Sequence, residues 1–234
     1  MEEKKDKLHK ILKDKFDWDL NECRKIWAFG IEDALTNCIS DKTSAVQHMK
    51  EIKGNVLAGF NSVILNGPLT GEKLRNVKFN ITDAKIIPDP IHRGGNQLVP
   101  MTGKVLKGAM LSSKPRLQEP VFMCTIKTLD SLRGDVYSAI GNRRGKIQDD
   151  EYDTESTIII KAHLPVAESF GFSEYLSSMT SGRALPQFVF SHWETIASDP
   201  LEEGSMANKL VKEIRKRKGM TEEVPQPEAF LDKL

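Results

Sequence analysis

The clearest pattern in the chain is an apolar stripe over residues 42–65, where apolar side chains recur three or four positions apart. This spacing places them on one face of an α-helix and predicts a core helix. The stripe consists of Val46, Met49, Ile52, Val56, Leu57, Phe60, Val63 and Ile64. Asn66-Gly67-Pro68 ends the helix, because glycine tolerates a positive φ and proline cannot continue a helix.

Shorter helical and alternating patterns fill the rest of the first half. The predicted elements are a charged amphipathic helix over 3–15, a short helix beginning at Asp17-Trp18-Asp19, strands over 26–30 and 74–87, and a helix over 97–112. Aspartate is a good N-cap for the short helix. Asn96 is the expected N-cap of the last helix, and Pro100 is tolerated in its first turn, where no intrahelical hydrogen bond is lost.

The second half has the order strand, helix, strand, strand, helix, strand. These elements are predicted at 120–128, 130–141, 145–148, 157–164, 169–180 and 188–194. This order is that of a ferredoxin-like domain, in which two helices cover one face of a sheet. A charged helix over 200–218 and a tail with two prolines follow. The patterns together predict an α+β protein.

Composition excludes a collagen-like, a mucin-like or a wholly disordered chain. Apolar residues make up 39% of the 234 residues, enough for a packed core, and the formal net charge is +1. Any binding to nucleic acid or membrane therefore depends on a local patch. The charged N-terminus is not expected to be a secretory signal, and no apolar run approaches bilayer length. The cysteines (Cys23, Cys38 and Cys124) are odd in number and scattered, which favours a reducing compartment.

No motif in the sequence predicts catalysis. The Gly-Asn-Arg-Arg-Gly-Lys segment at 141–146 is one residue short of a phosphate loop and precedes a strand, where a helix is required. The acidic run Asp149-Asp150-Glu151 is typical of a solvated turn. The five histidines lack helical metal-site spacing. We therefore expect no catalytic residue, no metal and no cofactor on this chain.

Two cationic features carry alternative interpretations. The last helix has a basic cluster, formed by Lys209, Lys212, Arg215, Lys216, Arg217 and Lys218. Such a run is usually a solvated face, but it can also contact nucleic-acid phosphates. The second feature is the loop at 88–97, which holds an imidazole and a guanidinium between prolines and glycines. It is either an ordinary turn or a probe presented to RNA, where His and Arg stack on bases.

Several segments resemble one known family. The Asp-Pro-Ile-His-Arg-Gly-Gly-Asn-Gln loop at 89–97 is similar to the tip loop of the elongation factor 2 family of translational GTPases. The resemblance extends through residues 24–30, 115–120, 164–172, 186–193, 215–220 and 232–234. These segments keep the order and spacing of the family.

The resemblance implies a two-domain C-terminal part of such a factor. Residues 1–114 would be most of domain IV, without its first strand, and residues 115–200 would be the ferredoxin-like domain V. Residues 201–234 would form a helix and tail that pack back on domain IV. The GTPase domain, with GTP and Mg in the parent family, is expected to be absent from this chain, which would therefore not be an enzyme by itself.

The resemblance also implies functional residues and partners. His92 would be the residue converted to diphthamide, Arg93, Gly94 and Gly95 would shape and support the loop, and the tip loop would enter the ribosomal decoding site during tRNA and mRNA translocation. That loop comprises Ile91, His92, Arg93, Gly94, Gly95, Asn96 and Gln97. The six cations of the last helix are candidate contacts to rRNA phosphates. The implied partners are the ribosome with its tRNA–mRNA duplex and the diphthamide-synthesis enzymes, in the cytoplasm and away from membranes.

The departures from the family and the sister families leave alternatives open. Pro90 and Asn96 replace the family's usual alanine and glycine, and both are expected to stiffen the loop. The spliceosomal relative shares a similar loop and a similar stretch at 74–79. The ribosome-maturation relative shares features near 180–182 and 191–194, but it lacks the His-Arg-Gly-Gly loop. A free-standing RNA-binding module is a further alternative, although the strands lack the aromatic signature of such modules.

Overall fold

The computed structural model describes residues 10–31 and 34–230, and this part of the chain divides into two units. The first unit takes the chain up to Pro115 and again from Pro200, and the second is Arg116–Asp199. No helix among the described residues is long and apolar enough to cross a membrane. Each unit has its own sheet and its own hydrophobic core.

The first unit combines a three-stranded sheet with helices. Residues 10–16 are helical. The numbered elements are α1 (Leu20–Arg24), β1 (Ile26–Phe29), β2 (Cys38–Asp41), α2 (Met49–Leu65), β3 (Lys78–Ile81), α3 (Gly95–Ser112) and α7 (Met206–Arg217). Short 3-10 turns lie at Pro90–Arg93 and Pro227–Ala229. Asp19 caps α1 by accepting from the backbone N–H groups of Asn21 and Glu22, which confirms the predicted start of that helix.

The sheet of the first unit has the order β1-β2-β3, with β1 antiparallel and β3 parallel to β2. The central strand β2 was not predicted. Its entry is held by the buried Asn37, whose side-chain amide donates to the carbonyls of Ala34 (2.9 Å) and Leu74 (2.8 Å). The side-chain Oδ1 of Asn37 accepts from the backbone N–H of Val77 at 3.0 Å. One buried amide thus ties β2 to the segment before β3.

The core of the first unit lies between the sheet and the helix pair α2 and α3. Phe60 of α2 is fully buried and meets Phe79 of β3 edge-on, with ring centroids 6.0 Å apart. The two helices approach closely at Gly59, where an added Cβ would lie 2.9 Å from the carbonyl oxygen of Val99. Only glycine fits this contact, so the predicted apolar stripe has a glycine where the helices touch.

Several predicted boundaries in the first unit were wrong. The predicted helix over 42–65 begins only at Met49, because Ala45 (φ 57°) and His48 (φ 62°) take left-handed conformations that an α-helix excludes. The predicted strand over 74–87 is reduced to Lys78–Ile81, the only part that pairs with β2. The predicted helix over 3–15 lies in part outside the described residues.

The second unit has the ferredoxin-like arrangement expected from its element order. Its elements are β4 (Gln118–Leu129), α4 (Arg133–Gly141), β5 (Lys146–Tyr152), β6 (Thr157–Pro165), α5 (Val166–Ser169), α6 (Phe172–Met179) and β7 (Leu185–Thr195). The strands are ordered β5-β6-β4-β7 and pair antiparallel throughout. The α+β fold class is therefore confirmed. The absence of a first domain IV strand stays a prediction.

One face of this sheet and its helices form the second core. Ile160 of β6, Val136 of α4 and Phe172 of α6 are fully buried in it. Burial raises the pKa of the Cys124 thiol to about 12, so this cysteine packs as an apolar group. The predicted helix over 169–180 is interrupted, because Phe170 takes an extended conformation between α5 and α6.

The edge strand β5 is longer than the predicted segment 145–148. It runs through the acidic Asp149-Asp150-Glu151 segment, which was interpreted as a solvated turn. Six of its seven residues are exposed and the remaining one, Asp150, is half-buried. Charged residues suit an edge strand because they discourage pairing with a further chain.

The last helix, α7, returns to the first unit. It begins at Met206, after the predicted start, where the Ser205 hydroxyl accepts from the Asn208 backbone N–H at 3.0 Å. Ala207 and Val211 are fully buried. The 3-10 turn Pro227–Ala229 then packs against α3.

Candidate functional site

The first part of the tip loop lies in a 3-10 turn, Pro90–Arg93, which connects the segment after β3 to α3. Asp89 caps the turn by accepting from the Ile91 backbone N–H at 3.0 Å. Pro90 occupies the first position of the turn, where its fixed φ suits the geometry and its missing N–H costs no hydrogen bond. The backbone of the loop is therefore ordered by its own sequence.

Two side chains of the turn are displayed to solvent. Ile91 is 79% exposed. The His92 side chain is 54% exposed, and its Nε2 lies 3.9 Å from Oδ2 of Asp89, beyond a direct hydrogen bond. Asn96 and Gln97, further along the loop, are exposed as well. The tip thus presents an apolar side chain and an imidazole side by side.

Arg93 is turned inward. This is contrary to the interpretation that the loop presents a guanidinium together with the imidazole, and it fits the supporting role that the resemblance implies for Arg93. Only 9% of its side chain is exposed. Nη1 donates to Oε2 of Glu51 at 2.5 Å, and Nη2 donates to the Pro88 carbonyl at 2.9 Å. Both terminal nitrogens of the guanidinium are thereby bound within the protein, while the buried Nε has no partner among the described residues, so Arg93 braces the loop and does not extend from it.

The helix α2 supplies contacts to the tip that the sequence analysis missed. Glu51 lies in its first turn and binds Arg93, and its Oε1 lies 2.7 Å from Nδ1 of His48. One turn later, the Asn55 side-chain amide donates to the Arg93 carbonyl at 3.2 Å. Nothing local in the sequence connects α2 with the tip loop, which lies about forty residues later.

The glycines end the tip and begin α3. Gly94 is the residue before α3, and its carbonyl accepts from the backbone N–H groups of Gln97 and Leu98. An added Cβ on Gly95 would lie 3.2 Å from Oδ1 of Asn55, so this glycine lets α2 and the loop approach closely. Asn96 is inside the helix, and its predicted role as N-cap was wrong.

The basic cluster on α7 is divided by burial. Arg215 is 5% exposed, and its guanidinium donates to the carbonyls of Leu69 (2.8 Å) and Thr221 (2.6 Å). Arg215 is therefore not available as a phosphate contact, because its donors are already bound to the carbonyls of Leu69 and Thr221 and to the Thr221 hydroxyl. Burial lowers the pKa of its guanidinium, but arginine stays charged.

The remaining cations of the cluster reach solvent. Lys209, Lys216, Arg217 and Lys218 are exposed, and Lys212 is half-buried. Three of them lie near acidic partners: Lys212 with Glu203 at 3.9 Å, Lys216 with Glu222 at 3.5 Å, and Lys218 with Glu72. Such surface pairs are weak, so they do not exclude the predicted role of these lysines as phosphate contacts.

The segment at 141–146, which is one residue short of a phosphate loop, contains an arginine whose guanidinium is bound by two carboxylates. Arg144 donates from Nη1 and Nη2 to the carboxylate of Glu119, both at 3.0 Å, and from Nε to Glu168 at 2.9 Å. Two parallel hydrogen bonds to one carboxylate and a third to Glu168 thus engage all three nitrogen atoms of the guanidinium. Among residues 10–31 and 34–230 no three His, Cys, Asp or Glu side chains are grouped so that they could hold a metal ion.

The class of protein follows from the two units and from their matches to known families. A ferredoxin-like unit accompanies an α+β unit whose braced loop displays an imidazole. Residues 1–114 match the family model described as elongation factor G, domain IV, and residues 116–204 match that described as elongation factor G C-terminus. The chain therefore belongs to the elongation factor G and elongation factor 2 type of translational GTPase and contains its C-terminal part.

Proposed function

We propose that this chain acts in translocation as the C-terminal part of elongation factor 2, the type found on eukaryotic ribosomes. Its tip loop enters the decoding site and moves with the tRNA–mRNA duplex. The observation that carries this proposal is the exposed imidazole of His92 on a loop whose backbone is fixed by Asp89 and Arg93.

The chemistry of the tip suits contact with RNA. An imidazole can stack on an unpaired base and can hydrogen-bond to a phosphate or a 2′-hydroxyl. The adjacent Ile91 adds an apolar contact. Because the loop is ordered before it binds, little conformational entropy is lost on binding. The role of His92 is therefore to bind and position, and no bond is made or broken by it.

The exposure of His92 also supports its assignment as the residue converted to diphthamide. A modifying enzyme needs access to the imidazole, and more than half of that side chain is accessible. Of the two departures from the family loop, Pro90 begins the turn and Asn96 lies in the first turn of α3, and the His92 side chain between them remains exposed. The diphthamide-synthesis enzymes are accordingly proposed as partners.

A basic surface on α7 provides a second proposed contact with the ribosome. Phosphate contacts by lysine and arginine contribute affinity without reading sequence. The proposed contacts are Lys209, Lys212, Lys216, Arg217 and Lys218, which reach solvent. Arg215 is excluded from this set because its guanidinium is buried.

We assign GTP hydrolysis, with its Mg, to a GTPase domain other than these two domains, acting in the cytoplasm. The purified chain is expected to hydrolyse no GTP, since neither unit contains a recognisable phosphate loop in its sequence. Saturable GTPase activity that persists through repurification would contradict this assignment.

The decisive experiment is mass spectrometry of the protein isolated from its native host. The peptide containing His92 should carry the added mass of diphthamide. An unmodified peptide would remove that assignment. Co-sedimentation separates the sister families: association with ribosomes during elongation supports elongation factor 2, whereas association with spliceosomal particles or with maturing ribosomal subunits supports a sister family.

A further inference from the structure

Two side chains on one face of α2 converge on a single residue of the tip loop. Glu51 and Asn55 are four positions apart, so they lie on the same face of the helix. Glu51 binds the Arg93 side chain at 2.5 Å, and Asn55 binds the Arg93 backbone carbonyl at 3.2 Å. Arg93 is thus held both at its side chain and at its main chain by one helix.

Arg93 transmits this attachment across the loop. Its second donor, Nη2, binds the Pro88 carbonyl at 2.9 Å, on the other side of the turn from the residue itself. The guanidinium therefore joins the start of the loop, the end of the loop and α2. The two displayed side chains, Ile91 and His92, lie between these fixed points.

The electrostatic setting favours an ionised carboxylate at this position. The hydrogen bond with His48 and the charge of Arg93 hold the pKa of Glu51 below its ordinary value. Its side chain is 58% exposed, so water competes with Arg93 and the pair is weak in free energy. Asp89 and Pro90 order the turn itself, and the pair with Glu51 adds an attachment of that turn to α2.

We propose that Glu51, together with Asn55, is a positioning residue of the tip: it holds Arg93 and thereby sets the orientation in which His92 is presented. Neither residue is part of the loop motif itself. The inference deepens the function proposed above and rests on it, since it assigns significance to the orientation of His92.

Trypsin provides a direct test, because it must draw the Arg93 side chain out of its pocket before it can cleave after it. In the full chain, Glu51→Ala should accelerate cleavage between Arg93 and Gly94 by about two- to fivefold, the range expected for loss of an exposed ion pair. Cleavage after Lys85, an exposed residue before the loop, serves as the internal reference within the same digest. Asn55→Ala should accelerate the same cleavage.

A matched control separates this effect from a general loss of stability. Glu72 has a similarly exposed side chain (63%) and pairs with Lys218 in the same unit, so Glu72→Ala removes a comparable surface ion pair elsewhere. It should leave cleavage after Arg93 unchanged relative to Lys85. Equal acceleration in the Glu51 and Glu72 variants, or none in either, would overturn the proposal.

A second measurement reports on His92 itself. The imidazole resonances of His92 should shift in Glu51→Gln and return towards wild type in Glu51→Asp, which keeps the charge. Unchanged resonances in Glu51→Gln would overturn the positioning role. Shifted resonances combined with an unmodified His92 in the native host would support the positioning role while removing the diphthamide assignment, so the two failures are distinguishable.

Discussion

The two units of this protein differ in the number of chain segments that form them. The second unit is one continuous stretch, Arg116–Asp199, and its strands pair antiparallel in a single sheet. The first unit is interrupted, because its chain leaves at Pro115 and returns at Pro200. The returning segment is linked to the earlier one by a hydrogen bond from Arg215 to the carbonyl of Leu69, which is 146 residues earlier in the chain.

This difference affects how each unit depends on its sequence neighbours. A continuous unit can form all its contacts from one segment, whereas an interrupted one must bring distant segments together and loses more loop entropy in doing so. The first unit therefore depends on α7 and its tail, and the second does not.

Removal of residues 200–234 should abolish cooperative unfolding of the first unit and leave that of the second intact. The deletion removes the buried side chains of α7 and the donors of Arg215 together. Tryptophan fluorescence separates the units, since Trp18 and Trp27 belong to the first unit and Trp193 to the second. A Trp193→Phe version of the full chain retains only Trp18 and Trp27, so its fluorescence gives the reference signal of the intact first unit.

The isolated segment Arg116–Asp199 is the complementary half of this test. It contains all four strands of its sheet and should melt cooperatively when expressed alone. A product that binds hydrophobic dye and shows no transition would mean that the second unit also needs outside support, and the contrast would fail.

Arg215→Ala should destabilise the first unit by about 1–3 kcal/mol, because it leaves the buried carbonyl of Leu69 without its charged donor. The urea transition of the first unit measures this change. Arg217→Ala is the matched control: it is an exposed arginine on the same helix, and its substitution should change stability by less than about 0.5 kcal/mol. Equal losses in the two variants would refute the structural role of Arg215.

Acid should weaken the first unit through Glu22. Hydrogen bonds from Lys42 and Lys78 lower the pKa of Glu22 to about 2 from an ordinary value of 4.5. A carboxyl with a lowered pKa stabilises the fold above its unfolded pKa, and this stabilisation is lost as the pH falls from 4.5 towards 2. In Glu22→Gln the urea midpoint of the first unit should depend less on pH over that interval. An unchanged pH dependence would contradict the assignment.

His92→Ala should have the smallest effect on stability, below about 0.5 kcal/mol, because the side chain is exposed and makes no direct hydrogen bond. In a full-length factor the same substitution should impair the rate or accuracy of translocation while GTP hydrolysis persists. A large loss of stability would show that His92 is a structural residue and would remove the proposed role of the tip.

The sequence by itself determined the features that depend on near neighbours. The apolar stripe of α2, the Asp19 cap of α1 and the strand and helix order of the second unit were all predicted. Each is a local pattern, set by periodicity or by a cap three residues away. The exposed position of His92 was also expected, since proline and glycine bound the turn that carries it.

Only the tertiary structure decided which cations support the fold and which reach solvent. Arg93 and Arg215 stand in basic or polar segments like their neighbours, yet both are turned inward. Their partners, Glu51 and the Leu69 carbonyl, lie 42 and 146 residues away. Backbone carbonyls leave no signature in a sequence, and a carboxylate that distant is one of many. Burial of a charge is therefore set by what the folded chain places around it.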